Sequence, residues 1–451
     1  MASRALASIT ALLGLTVLVI LGLATCYRPS IPDGAFTCGP NGLCPSGFIC
    51  RADQLCYRSA AQNDAGLDLS VPDLSFEIPD FAGPDLLGFI DGGLCSPRTL
   101  SFASSTAVTF PAMSGPAVVV TADLNNDQIL DLVTTTYKTN LVQVILGKGS
   151  ATYGTPTTYH IGTAAAQDAE GLAVADFTGD GLLDIVATSP TSMTVNILTA
   201  TSPGVFTVPP ATMPTFTTPY SPITALVADF NGDTKKDVAI GFSNGSFVVA
   251  TGNGNGTLTG AAIIGAPLAT LGDWNHDGKM DVAGGDYTIV DMAPGRNVYV
   301  ELGAGGDTFG SSLPDLVASG PTGMVGADFN KDGHLDLAVA NFTSDNVSIL
   351  LGKGDGTFTA GATLQAGTGP SGIVASDFNC DGTLDLVVTN SSSNNISVLS
   401  GNGDGTFATA VPFPAGTGPG APAIGDFDGD GWLDVIVTNY EGDTLTLLRN
   451  Q

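Results

Sequence analysis

Seven copies of one nine-residue pattern, with aspartate at both ends, run from residue 123 to residue 434. They read Asp123-LNNDQIL-Asp131, Asp176-FTGDGLL-Asp184, Asp229-FNGDTKK-Asp237, Asp273-WNHDGKM-Asp281, Asp328-FNKDGHL-Asp336, Asp377-FNCDGTL-Asp385 and Asp426-FDGDGWL-Asp434. Successive copies start 53, 53, 44, 55, 49 and 49 residues apart. Self-similarity at such a period marks a repeat architecture, in which one supersecondary unit cannot bury its own faces and must stack on its neighbours. The flanks repeat with the loop. An apolar run precedes each copy, as in Ser371-GIVAS, and another follows: DLVTT, DIVATS, DVAIG, DVAGG, DLAVAN, DLVVTN and DVIVTN. A third run ends in a Gly-rich turn, as in Val347-SILLGKGDGTF and Val398-LSGNGDGTF, and the residues after Phe358 and Phe407 make a fourth. Four short strands per repeat, seven times over, predict an all-β, seven-bladed β-propeller of four-stranded blades across residues 95–451. The abundance of glycine, 59 residues, suits short strands joined by tight turns. The repeat runs out of phase with the chain. Residues from about Thr99 to Phe110 resemble an outer strand without its blade, and the sequence ends after a third strand, Thr444-LTLLR. The expectation is that the first segment completes the last blade, which removes an open sheet edge.

Aspartates at alternate positions around a sharp turn converge on one point. Calcium takes six to eight oxygens at ~2.3–2.6 Å, which three carboxylates, an amide, a backbone carbonyl and water can supply. Glycine at position six permits the turn. The candidate ligands at positions one, three, five and nine are Asp123, Asn125, Asp127 and Asp131; Asp176, Thr178, Asp180 and Asp184; and Asp229, Asn231, Asp233 and Asp237. They continue with Asp273, Asn275, Asp277 and Asp281; Asp328, Asn330, Asp332 and Asp336; Asp377, Asn379, Asp381 and Asp385; and Asp426, Asp428, Asp430 and Asp434. The competing reading is that these side chains only cap the turn by local hydrogen bonds. An EF-hand is rejected, because position twelve holds Thr134, Ala187, Ile240, Gly284, Val339, Val388 and Val437 instead of Glu, and strand residues follow. The aromatic at position two (Phe177, Phe230, Trp274, Phe329, Phe378, Phe427) reads as a wedge between blades.

The full pattern resembles the FG-GAP repeat family, also called VCBS-type repeats, found in integrin α-subunit propellers and many bacterial surface proteins. The resemblance covers about residues 100–450. It implies a loop that joins the first and second strands of a blade and binds calcium, so up to seven ions. Gln128 and Thr234 depart from the turn Gly, and Thr178 from the Asn/Asp of position three. Loops of blades four to seven keep all four side-chain ligands and the Gly, so they are expected to bind best. Blade three, with Lys235 and Lys236 beside its carboxylates, is expected to bind worst.

The N-terminus carries a secretory signal pattern, residues 1–25: Arg4, then a mainly apolar stretch to Ala24. It ends in Leu23-Ala24-Thr25-Cys26, which resembles the bacterial lipobox and implies lipidation of Cys26; Tyr27 after it points to the outer membrane. An uncleaved anchor is the alternative, since about 20 apolar residues span a bilayer. Residues 26–57 hold Cys38, Cys44, Cys50 and Cys56 at equal spacing. After a secretion signal they read as two disulfides of undetermined connectivity, with zinc as the weaker option. Residues 58–94 repeat Pro-Asp-apolar units and read as an acidic, semi-rigid linker. Cys95 and Cys380 can pair or stay free.

With 14 Lys+Arg against 43 Asp+Glu, the formal charge is −29, which repels nucleic acid and anionic lipid. Membrane contact is therefore expected only through the lipid. His160, His276 and His334 are scattered and receive no catalytic role. The expected function is a monomeric, non-enzymatic, calcium-binding adhesion module, exported and held at a cell surface, for an extracellular protein or glycan. The alternatives are a polysaccharide-acting enzyme, which needs ionisable groups in the central channel, or a sugar-binding lectin, for which two Trp are few.

Overall fold

The computed structural model describes residues 98–451, apart from 162–168, 209–215, 261–262, 287–294, 307 and 311–313, and the backbone of three short strands nearer the N-terminus. Those strands, Phe36–Thr37, Phe48–Cys50 and Leu55–Arg58, form a small antiparallel sheet with the last of them in the middle. The expected signal segment 1–25, the lipidated Cys26 and the linker beyond Arg58 lie outside the described residues. So do the side chains of Cys38, Cys44, Cys50 and Cys56.

From residue 98 onward the chain makes seven antiparallel sheets, and they are the seven expected blades. In blade one the strands are Pro116–Ala122, Asp131–Thr136, Leu141–Ile145 and Thr157–His160, paired in chain order. Blades five and six repeat this with Pro321–Ala327, Asp336–Asn341, Asn346–Gly352 and Phe358–Gln365, then Pro370–Ser376, Asp385–Asn390, Asn395–Leu399 and Val411–Pro414. In blades two and three the fourth position is split into two short strands, both paired to the third. Blade four is the slightest: its first strand is only Thr270–Gly272, where blades three and five have seven-residue strands, Pro222–Ala228 and Pro321–Ala327. This short strand closes the 44-residue interval from Asp229 to Asp273, the shortest between successive loops.

The packing explains why the strands are apolar on both faces. Second strands such as Asp385–Asn390 (DLVVTN) are buried at every residue, because a neighbouring blade covers each face. Seven core clusters are found among the described residues, one at each junction between successive blades. Strand alternation divides each strand between two junctions. Leu172 and Val174 face blade one, whereas Ala173 and Ala175 face blade three. The expected aromatic wedges are there: Phe177, Phe230, Trp274, Phe329, Phe378 and Phe427 are all buried, each between two blades.

The ring closes as the repeat phase predicted. Phe102–Thr109 is the outer strand of blade seven, paired antiparallel to Thr444–Asn450 from Phe102↔Asn450 to Thr109↔Thr444. Phe102 adds edge-to-face contacts with Phe378 and Phe413 of blade six, at 6.1 and 5.5 Å between centroids. Asp443 then secures the far end. Its carboxylate accepts from the N–H groups of Met113 (2.7 Å) and Gly115 (2.8 Å) at the entry to blade one. Because this strand joins the two ends of the chain, Phe102→Ala should destabilise the whole ring. We expect a loss of about 3–5 kcal/mol in urea unfolding, the usual cost of emptying a buried aromatic site. A loss under about 1 kcal/mol would show that the closure contributes little.

Candidate metal-binding loops

Each nine-residue pattern connects the first strand of a blade to its second, so all seven loops lie on one face. The same hydrogen bonds recur in each. The position-one carboxylate accepts from the backbone N–H of positions five and six, as in Asp377 with Asp381 N (3.1 Å) and Gly382 N (2.7 Å). The position-five carboxylate accepts from position seven, as in Asp332 with His334 N at 2.9 Å. These caps hold two residues of every loop in the left-handed region. Position six was expected to do this. Position four does so as well, with Asn126, His276, Lys331 and Cys380 at φ of 61, 56, 60 and 56°. Where position six is not glycine the strain remains: Gln128 and Thr234 sit at φ 66 and 71°.

The position-nine aspartate does more than the sequence reading gave it. All seven (Asp131, Asp184, Asp237, Asp281, Asp336, Asp385, Asp434) are fully buried. In each, one carboxylate oxygen accepts from the N–H of position two and the other from the third strand, as in Asp184 with Phe177 N (2.9 Å) and Ala200 N (2.7 Å). The pair is present in every blade. Burial pushes these carboxyls up, to about 7 for Asp131, Asp281, Asp385 and Asp434 and about 6 for Asp184 and Asp336. The backbone donors oppose that rise, and the other loop carboxylates add to it.

The loops are not equal in their donor sets. In blade seven an oxygen from each of Asp426, Asp428 and Asp434 lies within 4.8 Å of the other two, a spacing that fits one cation. Asp428 is held above the usual carboxylate range by burial and then by Asp430 and Asp426. In blades one, five and six, Asn125, Asn330 and Asn379 turn their Nδ2 toward the position-five carboxylate, at 2.9–3.0 Å. In blade two, Thr178 donates its hydroxyl to Asp176 at 3.4 Å. In blade three, Lys235 Nζ lies 3.3 Å from Asp233. Lys279 does the same in blade four, 3.2 Å from Asp277, a contact the spacing alone did not reveal. Beside blade seven, the Arg98 guanidinium stacks 3.3 Å over the Trp432 ring. The backbone N–H of Arg98 donates to Asn379 O in blade six (3.1 Å), so Arg98 touches the loops of two blades.

The scattered histidines are not all apart: His276 Nε2 and His334 Nδ1 meet at 3.0 Å across the junction of blades four and five. Cys380 is disulfide-bonded, and its partner falls outside the described residues, as does Cys95. On the axis, the first strands of all blades surround a channel of about 340 Å³ lined by apolar and small polar residues, with no ionisable side chain among the described ones. On the face opposite the metal loops a larger cleft, about 880 Å³, opens at blades three to five.

Repeated blades with one acidic loop each, closed into a ring of seven, define a seven-bladed β-propeller with an aspartate loop in every blade. Five stretches, 123–187, 176–240, 229–284, 328–388 and 377–437, match the FG-GAP-like repeat model. The chain belongs to the FG-GAP-like repeat family, whose propellers serve in general as binding modules. No curated protein matches the sequence significantly. Among solved structures, a catalytically inactive virginiamycin B lyase from Staphylococcus aureus, with quinupristin, aligns at TM-score 0.51 and 15% identity over 77% of this chain and 99% of its own. BBS1N in complex with ARL6DN aligns at 0.51 and 14%, over 79% and 98%. An Agrocybe aegerita lectin specific for non-reducing terminal N-acetylglucosamine gives 0.49 and 17%, over 77% and 97%. These likenesses concern the fold alone.

Two outcomes follow from the loops. Thr234→Gly should stabilise the protein by about 1 kcal/mol in chemical denaturation, because a β-branched residue at positive φ is relieved; a destabilisation would mean that the Thr234 side chain contributes contacts worth more than the strain. The second concerns pH. Six position-nine carboxyls (Asp131, Asp184, Asp281, Asp336, Asp385, Asp434) bind protons more tightly when folded than in the unfolded chain, where Asp titrates near ~3.9. The native state therefore holds more protons between about pH 4 and pH 7, and stability falls as pH rises through that window. Chelator-treated protein should melt at lower temperature at pH 7.5 than at pH 5, and saturating calcium should flatten that slope. A melting temperature that rises with pH in chelator would contradict the assignment.

Proposed function

We propose that the protein is a calcium-stiffened, non-enzymatic binding module, exported and displayed at a cell surface by a lipid on Cys26. The observation that carries the calcium reading is the convergence of Asp426, Asp428 and Asp434 within 4.8 Å. Three carboxylates that close repel strongly in a partly buried site, and a bound dication offsets that repulsion. The same ion would ease the cost of ionising Asp434, which burial pushes up to about 7. Hard oxygen donors in a loop of this kind suit calcium over transition metals.

The contacts in each loop refine the expected ranking. Blades five, six and seven stay the strongest candidates. Blade four joins blade three as a weak one, because Lys279 already lies against Asp277 as Lys235 does against Asp233. In blade two the position-three oxygen is the neutral Thr178 hydroxyl, a weaker ligand than an amide or carboxylate oxygen, and it donates its proton to Asp176. Such sites belong in the ~10⁻⁴–10⁻³ M range of extracellular modules or somewhat tighter. The described lining of the central channel offers hydroxyls and apolar surface, a chemistry that suits contact with a bound partner.

Calorimetric titration of the chelator-treated protein tests the proposal. Asp430→Ala and Asp332→Ala should each remove a calcium site and lower the melting temperature in calcium, by linkage. Asp233→Ala and Asp277→Ala should leave the calcium heat nearly unchanged. Equal losses from all four, or no calcium heat from the unaltered protein, would defeat it.

A further inference from the structure

We propose that His276 and His334 form a second kind of metal site, an imidazole pair that takes a late first-row divalent cation (Cu²⁺, Ni²⁺ or Zn²⁺) and staples blade four to blade five. It stands apart from the calcium reading, because imidazole nitrogen suits these ions whereas calcium takes oxygen. The two residues come from different blades. His276 is the fourth residue of the blade-four loop, and His334 is the seventh of the blade-five loop. Their rings meet with Nε2 and Nδ1 3.0 Å apart. The fold builds this meeting. The backbone of His276 is left-handed, at φ 56°, and its side chain reaches the next blade. The His334 N–H donates to Asp332 (2.9 Å), and its ring lies against Gly354 in the Gly-rich hairpin of blade five, where an added Cβ would collide with it. That hairpin is itself tied to blade four, since Gly356 N donates to Trp274 O at 3.1 Å. The same two loop positions adjoin at the following junction, where a Cβ on Gly403 would meet both Lys331 and Thr383. There they carry an ammonium and a hydroxyl; at the junction of blades four and five both carry an imidazole.

One ion fits between the two rings. With metal–nitrogen bonds of ~2.0–2.1 Å, two ligand nitrogens lie about 2.9 Å apart at a right angle and about 3.3 Å apart at a tetrahedral one. The 3.0 Å between His276 and His334 falls within that span. Without metal, one ring donates its proton to the other. On binding, that proton passes through solvent to the far nitrogen of its own ring, which leaves a lone pair on each of the two facing nitrogens. Aiming both lone pairs at one ion takes a turn about Cβ–Cγ, a soft torsion for histidine, and the His276 ring is exposed. Among the described residues no carboxylate or thiol joins the two nitrogens within 4.8 Å, so water or an incoming ligand would fill the other positions. The location gives the staple a use. Blade four has a first strand of three residues where its neighbours have seven, so an ion at its junction with blade five reinforces the ring where strand pairing is slightest.

The test uses the full chain, carrying no added histidine tag, in saturating calcium, titrated in turn with Cu²⁺, Ni²⁺ and Zn²⁺. The expected result is saturable binding of one ion per chain, tightest for Cu²⁺. The melting temperature should rise with the concentration of added metal, by linkage. His276→Asn keeps a residue that tolerates positive φ, and His334→Gln keeps a polar side chain. Each variant should therefore melt within a degree or two of the unaltered protein before metal is added. Each should weaken binding about tenfold or more, since loss of an outer-shell partner alone costs that much. The nitrogen hyperfine pattern of bound Cu²⁺ should fall from two imidazoles to one in either variant. His160→Ala, in blade one, should change neither affinity nor spectrum. Binding that keeps its affinity in both His276→Asn and His334→Gln places the ion on other donors and overturns the proposal. Displacement of the ion by calcium, which would put it in an acidic loop, overturns it too, as does the lack of saturable binding. Absence of calcium heat from the unaltered protein would defeat the calcium reading only, and Cu²⁺ binding lost with either histidine would still support the staple.

Discussion

A buried carboxylate at the ninth position of each loop holds the blades in register. It accepts one N–H from the residue after the loop's first aspartate and one from the third strand, so three parts of a blade meet on one side chain. The residue it fixes, at position two, is the wedge against the next blade. The next blade returns the contact. Gly256 N donates to Phe177 O, Gly356 N to Trp274 O and Gly405 N to Phe329 O, at 2.9–3.1 Å, and the last blade substitutes the Asn450 side chain, Nδ2 to Phe378 O at 2.8 Å. Loop shape, wedge position and blade stacking are therefore one coupled arrangement. A charged group pinned inside the protein normally costs stability. Here two backbone donors per carboxylate reduce that cost, and a cation bound where the other acids converge would reduce it further.

Much of this was legible in the sequence because repetition made it so. Seven loops at near-constant spacing gave the blade count, and the unpaired run before the first loop gave the closure that Phe102–Thr109 makes with Thr444–Asn450. The apolar run after each loop located the start of every second strand, since each begins at a position-nine aspartate. What stayed hidden depends on contacts between repeats. Lys279 lies two positions from Asp277 in sequence, as Lys235 does from Asp233, yet only Lys235 came with a second lysine and a missing glycine to draw the eye. His276 and His334 are 58 residues apart and meet only because blades four and five adjoin. The 44-residue spacing before Asp273 was visible, but a short repeat can lose a turn, an outer strand or an inner one. That the inner strand was shortened, and a cleft left on the far face, is a fact of packing.

The two faces of the ring have opposite chemistry. One carries seven acidic loops, with Arg98 over those of blades six and seven. The other is built from strand starts, short hairpins and small residues. There the hairpin between second and third strands repeats its own device: Asp345 accepts from Gly369 N, Asn394 from Gly418 N and Asp443 from Gly115 N, all at 2.8 Å, and each ties one blade to the next. Both faces are thus sewn across the junctions, by wedge carbonyls on one side and by these side chains on the other. A ligand seated on the second face would press on a surface whose backbone is already fixed, which keeps the ordering cost of binding low.

In this protein the loop geometry recurs whatever donor set the loop carries. Blade three has the least suitable loop for a cation, with Thr234 at positive φ and Lys235 on Asp233. It nevertheless makes the same caps: Asp229 accepts from Asp233 N (3.1 Å) and Thr234 N (2.7 Å), and Asp233 from Lys235 N (2.9 Å). The fold therefore obtains its turn from aspartate side chains bonding to their own backbone, with or without a dication. What a cation adds is relief of repulsion, and the need for that grows with the number of carboxylates brought together. In blade three a lysine ammonium meets that need locally. In blade seven four carboxylates share one loop, and the neighbouring arginines, Arg98 against Asp430 and Asp434 and Arg449 against Asp428, reach them from outside it. The turn cap is thus made in every blade, and in the calcium reading proposed above the balance of charge in each loop decides whether a cation joins it.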